Sequence, residues 1–331
     1  MRSRWHAELA ERAERLFSLR VQRVLRATLV LLFAAVPAFG QSTRLLVITG
    51  VPGDEEHEQK FRQWATSFID TAKKKESLPD ANITFLSGPK ANKEGIDKAF
   101  ADLAAKSKPN DAVIILLIGH GSFDGRTAAF NIMGPDFTAQ EWAKLLARLA
   151  AQHVAFVNTS SSSGAFLEPL KAPGRIVITA TKTGGERLDT LFPEFFVAAF
   201  ADDAADRDRN GHVSVLEAFE YAKTKVTQSY QQKGLLLTEH ATLDTGGEDH
   251  VAATMFLGIG RGETALNVDM SDPEVKKLVD ERDAIERDIA ALKLMKASMD
   301  EAKYDAQMEK LLTDLAIKTK ALRDRQTKKD Q

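Results

Sequence analysis

Short apolar runs alternate along the chain with longer segments in which apolar side chains recur every three or four positions. Thr43–Thr49, read Thr-Arg-Leu-Leu-Val-Ile-Thr and closed by Gly50 and Pro52, predicts a strand buried on both faces. Residues 55–75 place Phe61, Trp64, Phe68 and Ile69 on one side, as an amphipathic helix does. A second strand is expected over 82–86. A second helix is expected over 93–106, with Asn92 as its cap. The strongest strand is 111–118, Ala-Val-Ile-Ile-Leu-Leu-Ile after a Pro-Asn-Asp turn. Thr138-Ala139-Gln140-Glu141 is a capping box that opens a helix through Trp142, Leu145, Leu146 and Leu149. Residues 153–158 and 175–180 read as strands, and 191–201 and 215–230 as helices. In the last two, Phe195, Phe196 and Phe200 are expected to face Leu216 and Phe219. Strands that alternate with helices predict an α/β fold, a mostly parallel sheet between two helical layers.

From residue 272 the pattern changes. Glycine disappears, Pro273 is the last proline, and Lys, Glu, Asp, Ala and Leu dominate. Val275, Leu278, Ile285, Ile289 and Leu292 follow three- and four-residue steps, as do Tyr304, Met308, Leu311, Leu315 and Leu322. Arg282 and Lys296 interrupt the first seam and Lys318 the second. Ser298-Met299-Asp300-Glu301 is a capping box, so a new helix is expected to start there. The reading is an antiparallel helical hairpin over 272–331 joined by a linker, 261–271; one long helix is the alternative. The apolar seams need burial on each other, on the rest of the chain or on a second copy, so oligomerisation through the tail is an expectation.

The N-terminus has the layout of an export signal. Arg20, Arg23 and Arg26 precede an uncharged apolar stretch, 27–39, and Ala38-Phe39-Gly40 offers a small-x-small cleavage site. Residues 1–40 are therefore read as a signal peptide, which places the mature chain in the periplasm or outside the cell. The stretch is shorter than the roughly 20 residues a spanning helix needs, so no stable membrane anchor is expected after cleavage. An uncleaved anchor is the alternative. The long Glu- and Arg-bearing segment before it points to a true start near Val21 or Val24. Without residues 1–40, 38 basic side chains remain against 44 acidic ones, a net charge of −6. That balance gives no electrostatic case for nucleic-acid binding. The chain has no cysteine, which excludes disulfides, thiolate metal sites and thiol nucleophiles together.

In open parallel sheets, ligands sit at the carboxyl ends of the strands. Two polar segments fall there. After the strand at 111–118 comes Gly119-His120-Gly121-Ser122. After the strand at 153–158 comes Thr159-Ser160-Ser161-Ser162-Ser163-Gly164. This pair resembles the caspase, legumain and gingipain superfamily of cysteine peptidases over about residues 43–230. Those proteins carry Gly-His-Gly after one strand. After the next they carry an acidic residue, any residue, cysteine, any residue, a small residue and glycine. Counted back from Gly164, the cysteine position is Ser161 and the acidic position is Thr159. The resemblance implies a caspase-like three-layer sandwich over 41–260. It also implies that His120 and the degenerate position Ser161 lie at the former catalytic cleft, lined by Gly119, Gly121, Thr159, Ser163 and Gly164.

A serine hydroxyl is far less acidic than a thiol and needs a close base, itself held by a third group. His120 is the candidate base; the sequence shows no third group. Glu168, Glu186, Arg187, Asp189, Glu239 and His240 are weighed as cleft-lining and read as surface residues.

Residues 206–217 fit the loop of an EF-hand. That loop needs oxygens at positions 1, 3 and 5, glycine at 6, a carbonyl at 7 and glutamate at 12. Asp206, Asp208, Asn210, Gly211 and Glu217 meet it; His212 offers its carbonyl, and Ser214 a direct or water-bridged oxygen or an N-cap. A structural calcium ion is the expected cofactor. Asp244-Thr245-Gly246-Gly247-Glu248-Asp249 lacks the register and reads as a loop. Three functions compete: a binding or scaffold module with a protein or peptide partner, a hydrolase using a Ser161/His120 dyad, and a structural envelope protein working through its tail.

Overall fold

The structure, a computed structural model, describes residues 42–108, 111–149, 153–247, 249–258, 272–294 and 299–329. The expected signal segment and linker, Lys296 and Ser298 lie outside the described residues. The first half runs β1 (Thr43–Thr49), α1 (Glu55–Lys74), β2 (Ile83–Leu86), α2 (Lys93–Lys106) and β3 (Ala112–Ile118). Three short strands follow, β4 (Gly121–Phe123), β5 (Ala128–Phe130) and β6 (Phe137–Thr138), then α3 (Ala139–Leu146) and β7 (His153–Asn158). After them come α4 (Leu167–Leu170), β8 (Arg175–Thr179), α5 (Phe192–Ala199), α6 (Val215–Gln232), β9 (Thr242–Asp244) and α7 (Asp249–Thr254). The tail is α8 (Pro273–Leu294) and α9 (Glu301–Lys329).

Six strands form one sheet in the order β2-β1-β3-β7-β8-β9. The first five are parallel, and β9 closes one edge antiparallel to β8. Alternate side chains of the central strands enter two separate cores, the reason these strands read as unbroken apolar runs. Leu45, Val47, Ile114, Leu116, Val157 and Ile178 face Phe61 and Phe68 of α1, Phe192 and Phe196 of α5, and Phe219 of α6. Leu46, Ile48, Ile115, Leu117 and Phe156 face Phe100 of α2 and Trp142 of α3. Trp142 gathers Phe100, Phe130, Phe137 and Phe156 around its ring, at centroid distances of 5.9, 6.5, 4.7 and 5.4 Å. The molecule is thus a mixed α/β sandwich of helix, sheet and helix layers.

Local chemistry sets the helix ends. Asp54 caps α1 by accepting from the His57 N–H, and Asn92 caps α2 by accepting from the Gly95 N–H. Both arms of the Thr138/Glu141 capping box are made. That helix stops at Leu146 rather than Leu149, because the N–H groups of Arg148 and Leu149 turn back to Leu145 and Leu146 in a tighter winding.

The structure departs from expectation elsewhere. β4, β5 and β6 make a second, antiparallel sheet over a stretch that carries no strand pattern. Asp244, read as loop, ends strand β9, and α7 follows. The aromatic ring against Phe219 is Phe192, at 6.2 Å; Phe195 is only partly buried. α5 starts at Phe192 with Pro193 in its first turn, and its inward stripe is Phe192, Phe196 and Phe200.

The tail is two antiparallel helices. Lys318 of α9 lies 2.6 Å from Glu281 of α8, and Arg325 pairs with Asp272 and Glu274. Val275, Ile289, Leu292, Tyr304 and Leu322 are buried. The interrupting Arg282 is buried as well. The cap of α9 is Asp300, whose carboxylate accepts from the Lys303 N–H at 3.1 Å. A carboxylate immediately before Glu301 thus reaches a free N–H of the first turn directly; the capping box expected from Ser298 lies outside the described residues.

Candidate functional site

β3 and β7 are neighbours with Leu117 opposite Asn158, so the two loops that follow them start side by side. They interlock through small atoms. The Ser161 hydroxyl donates to the Gly121 carbonyl at 3.1 Å, and its oxygen lies 3.3 Å from the Gly121 N–H. Thr159 donates its N–H and its hydroxyl to Leu117. The Gly164 N–H donates to the Thr181 hydroxyl at 2.8 Å, and the Ser163 hydroxyl lies 3.3 Å from the same oxygen. The glycines have steric causes. A Cβ on Gly121 would strike the Ser161 carbonyl, one on Gly164 the backbone of Lys182 and Thr183, and one on Gly119 the ring of Phe130. Ser162 turns the second loop in a left-handed conformation, φ 55°, and donates its N–H to the Glu186 carbonyl at 2.7 Å. The structure therefore brings Gly119, His120, Gly121, Thr159, Ser161, Ser163 and Gly164 together at the carboxyl end of the sheet.

The imidazole of His120 is bonded to partners outside the serine loop. Its Nε2 lies 3.0 Å from the Pro52 carbonyl, and its Nδ1 lies 3.3 Å from Asp189 Oδ1. Both ring nitrogens thus face acceptors other than Ser161. A second histidine stands beside it, His57 in the first turn of α1, with ring centroids 4.8 Å apart. His57 Nδ1 is 2.7 Å from Asp54 Oδ2, and His57 Nε2 is 3.1 Å from Asp189 Oδ2. Its hydrogen bond to Asp54 holds this imidazole above the usual histidine range; burial opposes the shift and the Asp189 charge adds to it. Asp54 is held below the usual carboxylate range, chiefly by the His57 backbone N–H. Phe61 walls the back of the pair, 5.7 Å from His57 and 5.3 Å from His120.

Neither Pro52, Asp54 nor His57 follows from the spacing of the polar motifs. Their one signal is that Gly50 and Pro52 end a buried strand next to a capping aspartate. Asp189, read as a surface residue, is that and also a partner of both histidines. Glu239, likewise read as surface, is buried: its carboxylate accepts from the Leu191 and Phe192 N–H groups ahead of α5, at 2.8 and 3.2 Å. Burial raises its pKa despite these two donors. Glu186 accepts from the His240 N–H, and its other oxygen faces the His240 ring.

A serine nucleophile requires a base in hydrogen-bond reach. Here the Ser161 proton rests on a backbone carbonyl, and the nearest imidazole binds elsewhere. The arrangement has an imidazole pair, a shared carboxylate and a polar loop, but no hydrogen-bonded Ser–His dyad.

The acidic loop is folded around its carboxylates. Asp206 accepts from the Asn210 and Gly211 N–H groups at 3.1 and 2.8 Å, and Gly211 has φ +89°, where glycine is favoured. Glu217 has two tasks. One oxygen completes the capping box with Ser214 at the start of α6; the other accepts from the Arg207 and Asp208 N–H groups. Oxygens of Asp206, Asp208 and Glu217 all lie within 4.8 Å of one another. Burial raises the pKa of Asp206, with Asp208 adding and the two N–H donors opposing. Burial, then the Asp208 charge, does the same to Glu217. Like charges gathered this way, with oxygen donors alone, fit a hard divalent cation. The Ser214 hydroxyl accepts from the Glu217 N–H at 3.2 Å, so Ser214 serves as the cap, and the His212 ring meets Glu76 at 2.7 Å.

A parallel sheet between two helical layers, with Gly-His-Gly and a small hydroxyl loop over its central strands, defines a caspase-like α/β protein of peptidase type. The chain belongs to the Peptidase C13 family, the legumain-type peptidases, whose model matches residues 67–243. That stretch includes His120 and Ser161. No curated protein matches the chain. Among solved structures, a structural-genomics protein from Geobacter sulfurreducens is similar. It is 10% identical, with 61% of this chain and 92% of that one covered, and its TM-score is 0.42.

Proposed function

We propose that this is an exported legumain-type peptidase homologue that does not cleave peptides through the family's nucleophile position and instead binds a protein or peptide partner. The chain has no thiol. The observation that carries the reading is the separation of Ser161 from His120: the hydroxyl is bonded to Gly121, and both ring nitrogens face Pro52 and Asp189. A serine without an oriented base is a poor nucleophile.

The test is a serine-directed fluorophosphonate probe on the folded, full-length chain. No adduct is expected at residue 161. An adduct that disappears in Ser161→Ala would establish a working dyad and overturn the proposal. For the binding half, extended peptides selected on the wild type are expected to lose affinity for Ser122→Trp, which places an indole on the exposed rim beside Gly121. A selection that enriches no peptide overturns that half.

Export rests on the charged and apolar pattern of residues 1–40; the exported protein is expected to begin at Gln41 by intact mass. Calcium at residues 206–217 is proposed as a structural ion. Asp206, Asp208 and Glu217 would hold it through their carboxylates, and the ion would neutralise their mutual repulsion. The tail offers a second contact surface. Leu312 and Ile317 are exposed on α9, and contact through the tail is proposed with a partner or a second copy.

A further inference from the structure

We infer that His57, His120 and Asp189 form a binding site for a divalent first-row transition metal, best suited to zinc. The inference does not depend on whether the cleft takes a peptide. Three segments supply one donor each at the carboxyl end of the sheet: the start of α1 after β1, the loop after β3, and the loop after β8. Their ligand atoms all lie within 4.8 Å of one another. The carboxylate of Asp189 stands between the rings, 3.1 Å from His57 Nε2 and 3.3 Å from His120 Nδ1. Tetrahedral donors at zinc bond lengths lie about 3.4 Å apart, so small side-chain rotations suffice.

The far side of each ring carries the argument further. A metal-bound imidazole is normally held by a carboxylate or a backbone carbonyl on its other nitrogen, which fixes the tautomer and the ring plane. Both histidines have that partner. His57 Nδ1 meets Asp54 Oδ2 at 2.7 Å, and His120 Nε2 meets the Pro52 carbonyl at 3.0 Å. Hydrogen on those nitrogens leaves the lone pairs of His57 Nε2 and His120 Nδ1 directed at Asp189. Asp54 is itself fixed, since its other oxygen accepts from the His57 N–H at 2.8 Å. Pro52 leads into the same turn. A plain ion pair with Asp189 gives no reason for both far nitrogens to be anchored.

Donor chemistry selects the ion. Two imidazoles and one carboxylate suit zinc or iron(II) rather than calcium or magnesium, which take oxygen. Three protein ligands leave a fourth position. The histidine side chains are 22% and 27% exposed and that of Asp189 is 64% exposed, so the open position faces solvent in the cleft.

The experiment uses the full-length chain stripped with chelator and kept in excess calcium, which occupies the all-oxygen loop at 206–217. Zinc is titrated against a chromophoric competitor, and cobalt(II) is added as a spectroscopic probe. One equivalent of zinc is expected, with an intense visible cobalt band that zinc displaces. Asp54→Asn, which keeps a capping oxygen for α1 but removes the carboxylate behind His57, is expected to weaken zinc about tenfold, and loss of a direct ligand in His57→Gln or Asp189→Asn by ~100-fold or more. Asp189 is exposed, so its variant keeps the fold, and circular dichroism checks this. Absence of stoichiometric zinc uptake overturns the inference, as does uptake that Asp189→Asn and His57→Gln leave unchanged.

Discussion

Single side chains at this cleft are constrained by what touches them more than by what they could react with. Gly121 is the clearest case, since an added methyl meets the Ser161 carbonyl on a neighbouring loop that is itself hydrogen-bonded in place. Gly121→Ala is expected to lower unfolding stability by about 1–3 kcal/mol in urea titrations, the usual cost of overpacking a fixed backbone. Glu141 is constrained electrostatically. Burial pushes its carboxyl up, but Lys93 and both donors of Thr138 outweigh that and pull the pKa from 4.5 to about 2. The folded-state value is depressed, so its stabilisation is present above about pH 4.5 and disappears as pH falls through about 2. Glu141→Gln is expected to flatten the fall of stability over that acid range and, as a weakened cap, to cost about 1 kcal/mol near neutrality. At this scale the sequence was partly readable. Gly-His-Gly and the small-residue loop stand out by composition and by the strands before them. His57 and Asp189 do not, because they reach His120 from elsewhere in the chain and no local pattern ties them to it.

Elements were legible where burial wrote a period into the residues. β1, β3 and β7 carry continuous apolar runs, 45–48, 112–118 and 154–157, because both sheet faces are covered, and α1 shows its inward stripe at helical spacing. β4, β5, β6 and β9 have two or three residues each, too few for a period to show. Their pairing is decided by neighbours distant in sequence. The junction of α5 and α6 joins both kinds of signal. Phe192 and Phe196 stack at 5.6 Å, and Phe196 packs on Phe200 and Phe68. Phe196→Ala is expected to destabilise the chain by about 3–5 kcal/mol, the cost of a large aromatic cavity. The acidic loop spans the same junction. Thermal melts should shift upward with calcium and return with chelator. Asp206→Ala should remove that shift; a wild-type melt indifferent to both additions would remove calcium from the account.

Among the described residues, the tail lies against the sandwich. α7 packs on α8, and a groove of about 710 Å³ lies between the acidic loop and α9, where Arg207 and Arg209 face Met308 and Leu312. The hairpin itself depends on its own seam. Leu322→Asp, which buries a charge at a fully covered position, is expected to melt α8 and α9 together. Far-ultraviolet helicity should drop while near-ultraviolet signals of Trp142 and its aromatic neighbours persist. Among the described residues no helix is long and apolar enough to cross a membrane.

The interlocked loops also bear on what a cysteine at residue 161 would do. From most serine codons one base change gives a cysteine codon, so sulfur is often a single mutational step away. Yet residue 161 is 6% exposed and pressed against the Gly121 backbone, and a thiol sealed in such surroundings stays protonated and inert. The imidazole that would have to assist it is engaged with Pro52 and Asp189. On this geometry a cysteine at 161 would bring the sulfur without an assisting base beside it.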